Sequence, residues 1–390
     1  VKSMQDFIFE NPTKIIFGRG QIKMIGPEVL RFGRKALLVY GRESIRKNGI
    51  YDQVTASLQG AGVSAVEFAG VKSNPVLSHA LKGIELARRE HVEVVLAVGG
   101  GSVIDEAKTI AAGVKAEHDV WDFFTRRKTV DDALPVLTVV TVSASASEMN
   151  SAAVITNEDG NSKFSMRSLL IQPRTSILDP SVLFTLSPAY SAYSAVDVIA
   201  HMVEGYFNNA EPCSPLQDRL VEGLTKTVME SMNLILNNPV DYTARANMMW
   251  AATLAFNGLT TSGMGQIGLP AHMIEHSLSA LYDIAHGAGL SIVLPGWMTY
   301  AAEKNPARFA HFTREIFSTE IASDYRTAIN GIVQLKSWFS SIGCPTSLKE
   351  GGIQEKDIDM IAENAYALAQ VWGLKDYSRE VITDILTLCR

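Results

Sequence analysis

Two residue pairs spaced four apart carry the first chemical signal. Asp197 and His201 stand in VDVIAHMVEGY, and His272 and His276 stand in HMIEH with Glu275 between them. Positions i and i+4 share a helix face, with Cβ atoms roughly 5–6 Å apart, so each pair can turn two donor atoms toward one ion. His286 follows in DIAHGAGLSIVLP, where 283–285 predict a turn and a new helix beginning near His286. The chain has eight histidines, and four of them fall at these positions. A core histidine or a plain Asp–His helix pair explains any one of them, but jointly they favour a bound metal. HMIEH also spells H-x-x-E-H, the inverted zinc-peptidase pattern, in which both histidines hold the metal and the glutamate activates water.

A second signal lies in VGGGSVIDEAK at 98–108, where an apolar run ends in Gly99, Gly100 and Gly101 and a helix is predicted from Ser102. Glycines let backbone N–H groups approach a pyrophosphate, and a helix N-terminus adds partial positive charge. A dinucleotide cradle and a plain serine-capped glycine turn fit this spacing equally well. GMGQIG at 263–268 matches G-x-G-x-x-G letter for letter. That fingerprint requires a strand before it, and AATLAFNGLTTS reads as helix end and loop, so it is set aside.

The elements that must hold these residues divide the chain. KALLVYG, VSAVEFAG, VEVVLAVGGGS and LPVLTVVTV alternate with helical segments, the rhythm of a parallel sheet covered by helices on both faces. From about Ser187 onward helical periodicity dominates without a convincing strand. The expected organisation is an α/β domain at 1–187 followed by an all-α domain at 188–390. A buried helix is expected near 245–257, ahead of the glycine-rich turn. The 35 basic and 41 acidic residues are scattered, and the net charge of −6 leaves no footprint for nucleic acid or an anionic membrane. Three cysteines, Cys213, Cys344 and Cys389, show no C-x-x-C spacing. This argues against a disulfide framework or a thiolate metal site and suits a reducing cytoplasm. The N-terminal stretch has no apolar core of a signal peptide, and the uncharged run 246–274 is too polar and glycine-rich for a bilayer. The expected partner is a small molecule.

From NPTKIIFGRGQI through GGGSVIDEAK and ILDP to HMIEHSLSALYDIAHG, the chain resembles the iron-containing, or group III, alcohol dehydrogenases, most closely their butanol-dehydrogenase-like branch of aldehyde reductases. The resemblance implies an N-terminal dinucleotide-binding α/β domain and a C-terminal helical metal-binding domain, an architecture shared with dehydroquinate synthases, with the active site in the cleft between them. It implies metal ligands at Asp197, His201, His272 and His286, with His276 beside the metal as a candidate for proton transfer and Glu275 in a supporting role. It places Gly99, Gly100, Gly101 and Ser102 at the pyrophosphate, Asp105 on the next helix turn, Thr141 and Ser145 along the next strand and loop, Lys163 near the nicotinamide ribose and Leu186 against the base. The implied reaction is hydride transfer between NADP(H) and a small aliphatic primary alcohol or aldehyde, with Fe²⁺ or Zn²⁺, in a homodimer. Where the family usually reads T-G-T-G-S-E or A-T-G-S-E, this chain has SASASEMN at 143–150, with Ala144 and Ala146 in the loop. In LLVYGRES at 37–44 the resemblance puts the discriminating position at Gly41. Gly41 has no charge to repel a 2′-phosphate, and Arg42 and Ser44 can bind one, which favours NADP(H), while Glu43 opposes it. A lyase of the dehydroquinate synthase kind, using NAD transiently, would need clustered basic residues for its substrate. A sensor that only binds dinucleotide would not need four metal ligands. A peptidase would leave the glycine turn, Asp197 and His286 without work.

Overall fold

The computed structural model describes residues 4–208 and 214–390, so Cys213 lies outside the described residues; Cys344 and Cys389 are buried free thiols. Eight strands all precede residue 179: β1 Lys14–Phe17, β2 Lys35–Tyr40, β3 Ser64–Ala69, β4 Val94–Gly99, β5 Val136–Val140, β6 Ala152–Asn157, β7 Ser162–Arg167 and β8 Thr175–Leu178. Six of them form one sheet in the order β1-β8-β5-β4-β2-β3, parallel throughout. β6 and β7 form a separate antiparallel hairpin, which the sequence reading did not anticipate. The turn between them carries Asn161 in the left-handed region, φ 45°.

Strand alternation explains the two covered faces. Ala36, Leu38, Tyr40, Val94, Leu96 and Val98 point into one apolar cluster, while Leu37, Val39, Val95 and Ala97 point into another with Ile104, Ala107 and Ile110 of the helix Gly101–Lys115. The chain leaves β2 toward β3 on one side and returns through β4 on the other. The strand order therefore reverses between β2 and β4, the position where ligands sit in open parallel sheets. Tyr40 and Val98 are register partners there, so Gly41 and Gly99 leave adjacent strands at the same end.

After residue 186 every described regular element is helical. The chain divides into two compact units: one contains Glu10–Leu186 with Pro239–Thr253, the other Ser187–Asn238 and Leu254–Arg390 with the N-terminal segment through Phe9. The helix expected near 245–257 runs Tyr242–Ala255, and most of it belongs with the sheet. GMGQIG lies in the irregular connection before the helix Pro270–Tyr282, with no strand ahead of it.

Within the sheet unit, Lys108 fastens the glycine-turn helix to the loop after β5. Its Nζ donates to Ser147 Oγ at 2.8 Å, to both oxygens of Asn150 and to the Ala152 carbonyl at 2.7 Å. Burial pushes its pKa down to about 8, against the pull of Asp105 and Glu148. The same loop holds Ala146 at φ 52°. A left-handed backbone costs alanine roughly 1–2 kcal/mol, so the loop holds Ala146 in a conformation that glycine would adopt without strain. Lys108→Ala, which takes the donor from four acceptor atoms on three residues, is expected to cost about 3 kcal/mol. Thermal unfolding tests this, and an unchanged midpoint would show that the loop is held by other means.

Candidate metal centre and dinucleotide turn

The helix Pro188–Phe207 starts at Ser187, whose side chain caps Tyr190 N, and buries Asp197, His201 and Glu204 along one face. The helix Pro270–Tyr282 carries His272, Glu275 and His276, and the helix His286–Lys304 begins on His286 itself, as its spacing predicted. Gly287 permits that start, because a Cβ there would lie 2.1 Å from the Tyr193 carbonyl oxygen.

These three helices converge on one oxygen. Asp197 Oδ1 lies 3.3 Å from His201 Nδ1, 3.6 Å from His272 Nε2 and 3.6 Å from His286 Nε2. Donor atoms of Asp197, His272 and His286 all lie within 4.8 Å of one another, and the His201 ring lies tilted against that of His272 with centroids 4.4 Å apart. Asp197 Oδ1, His201 Nδ1 and His272 Nε2 are buried without a hydrogen-bond partner. Ligands about 2.1 Å from one tetrahedral ion stand about 3.4 Å apart, so the spacing and the unsatisfied atoms both fit a divalent cation.

Two further carboxylates orient the ring nitrogens. Glu204, seven residues after Asp197, pairs with His272 Nδ1 and also accepts the backbone N–H groups of Ala271, at 2.5 Å, and His272. It thereby caps the Pro270–Tyr282 helix, whose own N-cap residue makes no side-chain bond. Glu275 pairs with His286 Nδ1 through one oxygen and accepts Ser279 Oγ at 2.5 Å through the other. Each pairing turns an Nε2 toward Asp197, the usual arrangement behind metal-bound imidazole. Sequence reasoning missed Glu204, although its i+7 position on the Asp197 face was readable.

The electrostatics match. Burial works to raise the Asp197 pKa, but His201, His286 and His272 hold it well below the carboxylate range. Burial drives His201 down to about 3. Burial also opposes charge on His272, yet Glu204 and Asp197 outweigh it and push that imidazole up to about 10. Without an ion, Glu204 and Asp197 thus favour a charged His272 while burial keeps His201 neutral. His276 stands to one side, its ring 5.6 Å from that of His286 and edge-on to Trp372 at 5.3 Å. Glu275, His276 and His286 also lie within ligand distance of one another, but both Glu275 oxygens are engaged as described. A glutamate so held is not available to activate water, which removes the peptidase reading.

In the sheet unit, the glycine turn ends β4 and opens the helix Gly101–Lys115, whose N-cap Gly100 makes no side-chain cap and whose first turn has no acid. A Cβ on Gly101 would lie 2.2 Å from Ser145 Oγ. Thr141 N–H donates to the Gly99 carbonyl at 3.0 Å, tying the two strand ends together. Asp105 accepts Ser147 Oγ at 2.5 Å and Val154 N–H at 3.0 Å, so its two oxygens bind the loop and hairpin around the turn. The segment after β3, absent from the sequence reading, joins the rest. Ser73 accepts from Ser102 Oγ, Asn74 Oδ1 accepts Lys163 Nζ at 3.1 Å, and the Val71 carbonyl lies 3.6 Å from where a Gly41 Cβ would stand. Arg42, Glu43 and Ser44 are exposed in the turn after β2. Leu186 ends the 3₁₀ turn Pro180–Thr185, its N–H donating to the Leu183 carbonyl at 3.1 Å.

Residues 12–180 match the family described as iron-containing alcohol dehydrogenase, and residues 191–389 match the C-terminal family of Fe-containing alcohol dehydrogenases. The chain is 41% identical to a probable NADH-dependent butanol dehydrogenase 2 of Bacillus subtilis (strain 168), over 99% of each chain. It is 34% identical to the NADPH-dependent aldehyde reductase YqhD of Escherichia coli (strain K12), over 91% of each. The solved structure of NADH-dependent butanol dehydrogenase A from Thermotoga maritima superposes with a TM-score of 0.95 at 45% identity, covering 99% of both chains.

Glu204→Ala removes a helix cap and leaves a buried imidazole unpaired, so it is expected to cost about 3–5 kcal/mol, with Glu204→Gln costing less. Equal thermal unfolding midpoints for wild type and Glu204→Ala would contradict the capping role.

Proposed function

The chain belongs to the iron-containing alcohol dehydrogenases, as an NAD(P)-dependent alcohol dehydrogenase and aldehyde reductase with a divalent metal, and on that premise we propose the residues that do its work and the compounds it takes. Asp197, His201, His272 and His286 hold the metal. The observation that carries this is the approach of all three histidines to the one unsatisfied oxygen of Asp197. When bound, the metal polarises the carbonyl oxygen of an aldehyde and the nicotinamide supplies the hydride, the reverse direction oxidising a primary alcohol. Glu204 and Glu275 keep the ring nitrogens of His272 and His286 aimed during turnover. His276, buried beside His286 and outside the ligand set, carries the proton to or from the substrate oxygen. The glycine turn and the open N-terminus of the Gly101–Lys115 helix hold the pyrophosphate, with Thr141, Ser145, Lys163 and Asp105 shaping the nicotinamide side and Leu186 against the base.

Phe256 packs 4.4 Å from the His201 ring and Trp372 packs against His276. Aromatic walls beside the proposed ligands support a small aliphatic substrate. An all N and O donor set suits Fe²⁺ and Zn²⁺ alike. The protein is read as a homodimer.

For the dinucleotide we propose NADP(H). Gly41 leaves the end of β2 without an acid, Arg42 is free to reach a 2′-phosphate, and Glu43 faces solvent. Of the relatives named above, two carry NADH in their names and one carries NADPH, so the NADP(H) reading rests on this chain's own turn. The measurement is kcat/KM for both cofactors with butanal; Arg42→Ala is expected to lower the NADPH value about tenfold and Glu43→Gly to raise it. A wild-type preference for NADH that Arg42→Ala leaves in place refutes the assignment.

Purified protein reconstituted with Fe²⁺ or Zn²⁺ tests the centre. His272→Ala and His286→Ala are expected to lose metal content and activity together, whereas His276→Ala keeps the metal and lowers kcat about a hundredfold. Loss of metal from His276→Ala would place that residue among the ligands instead.

A further inference from the structure

Glu106 and His79 form a buried acid–base pair on the helix whose N-terminus is read as the pyrophosphate site, and no part of the reaction uses them. Glu106 follows Asp105 on the Gly101–Lys115 helix and has no exposed surface. Its Oε1 lies 2.5 Å from His79 Nδ1, while its Oε2 is buried without a hydrogen-bond partner. His79, on the helix Leu77–Arg89, turns its other nitrogen to the Ala69 carbonyl at 3.2 Å, and its ring stacks on Phe68 with centroids 4.5 Å apart.

Both imidazole nitrogens therefore face acceptors. With one proton shared between Glu106 and Nδ1 and one on Nε2, both contacts are hydrogen bonds and the pair is neutral. Loss of a proton leaves a lone pair facing either the Ala69 carbonyl or the carboxylate, and puts a net negative charge in the interior. Burial opposes that charge, with His79 acting in the other direction, and the carboxyl is pushed up to about 7.

The other charged groups around this helix are committed elsewhere. On the Leu77–Arg89 helix, Arg88 is bonded to the Gly113, Val114 and Ala116 carbonyls, and Lys82 and Glu85 are partly or fully exposed, as is Arg89. Glu148 is held by Thr253, Lys35 of β2 by Glu90, and Asp105 and Lys108 by the loop after β5. His79 is the one titratable neighbour acting on Glu106 among the described residues.

Glu106 stands five positions after Gly101, about 7–8 Å along the helix axis. A buried negative charge at that distance repels an anionic pyrophosphate and offsets the helix dipole that attracts it. We propose that dinucleotide binding is coupled to proton uptake by the Glu106–His79 pair, so that affinity falls as the pair deprotonates. This rests on the reading of the glycine turn as the pyrophosphate site.

The test is isothermal titration of the full chain with NADPH at pH 6.5 and pH 8.5, for wild type, Glu106→Gln and Glu106→Ala. Titration of the nucleotide's own phosphate is common to all three proteins and cancels in the comparison. Wild type is expected to lose about threefold to tenfold more affinity between these pH values than either variant. Its binding enthalpy at pH 7.5 is expected to change with buffer ionisation enthalpy more steeply than that of the variants. The same pH dependence in wild type and in whichever variant folds overturns the coupling. Binding of NADPH that survives Gly101→Val undiminished, or no binding of NADPH or NADH, overturns the underlying reading instead.

Discussion

Three carboxylates buried around three imidazoles set the terms for the helical unit. Asp197, Glu204 and Glu275 have almost no access to water, and buried charge is tolerated only where opposite charge and hydrogen bonds balance it. Glu204 and Glu275 find that balance in the Nδ1 atoms of His272 and His286. Asp197 has imidazoles around it but no hydrogen bond on Oδ1, since the nearest nitrogens lie at 3.3–3.6 Å. The arrangement brings donor atoms of Asp197, His272 and His286 within 4.8 Å of one another, the spacing the proposed metal would need. Glu204 caps one helix as it orients His272, and Gly287 lets another begin against the Tyr193 backbone. Structural support and site geometry are thus the same contacts.

The sheet unit presents the opposite polarity at its proposed pyrophosphate turn. Parallel strands buried on both faces end together, and the reversal between β2 and β4 leaves a gap that no crossover helix fills. Three glycines bring backbone N–H groups to that edge, and the helix that follows has no acid in its first turn. The acids farther along are partnered in place: Asp105 accepts from Ser147 and Val154 with the Lys108 cation near it, and Glu106 pairs with His79. A helix with this much buried charge is stable only because each group has a partner from the loop after β5 or from the Leu77–Arg89 helix. The strained Ala146 is carried by the same network, through Lys108 and its bonds to the flanking residues.

Local patterns were legible in the sequence by itself. The spacing of Asp197 to His201 and of His272 to His276 placed donors on common helix faces, and the start of a helix at His286 followed from its turn residues. Alternating apolar runs foretold a two-faced parallel sheet, followed by helices. Which histidines hold the metal did not follow from spacing, because HMIEH offers two; placing His276 outside the ligand set came from the family resemblance. Only the tertiary structure assigned Glu275 to His286 rather than to water, brought Glu204 to His272 across 68 residues, moved Pro239–Thr253 into the sheet unit, and paired Glu106 with His79. Helical and strand periods depend on neighbours within a few residues and can be read from the chain. Charge pairing between helices depends on how whole elements pack, and no local pattern encodes it.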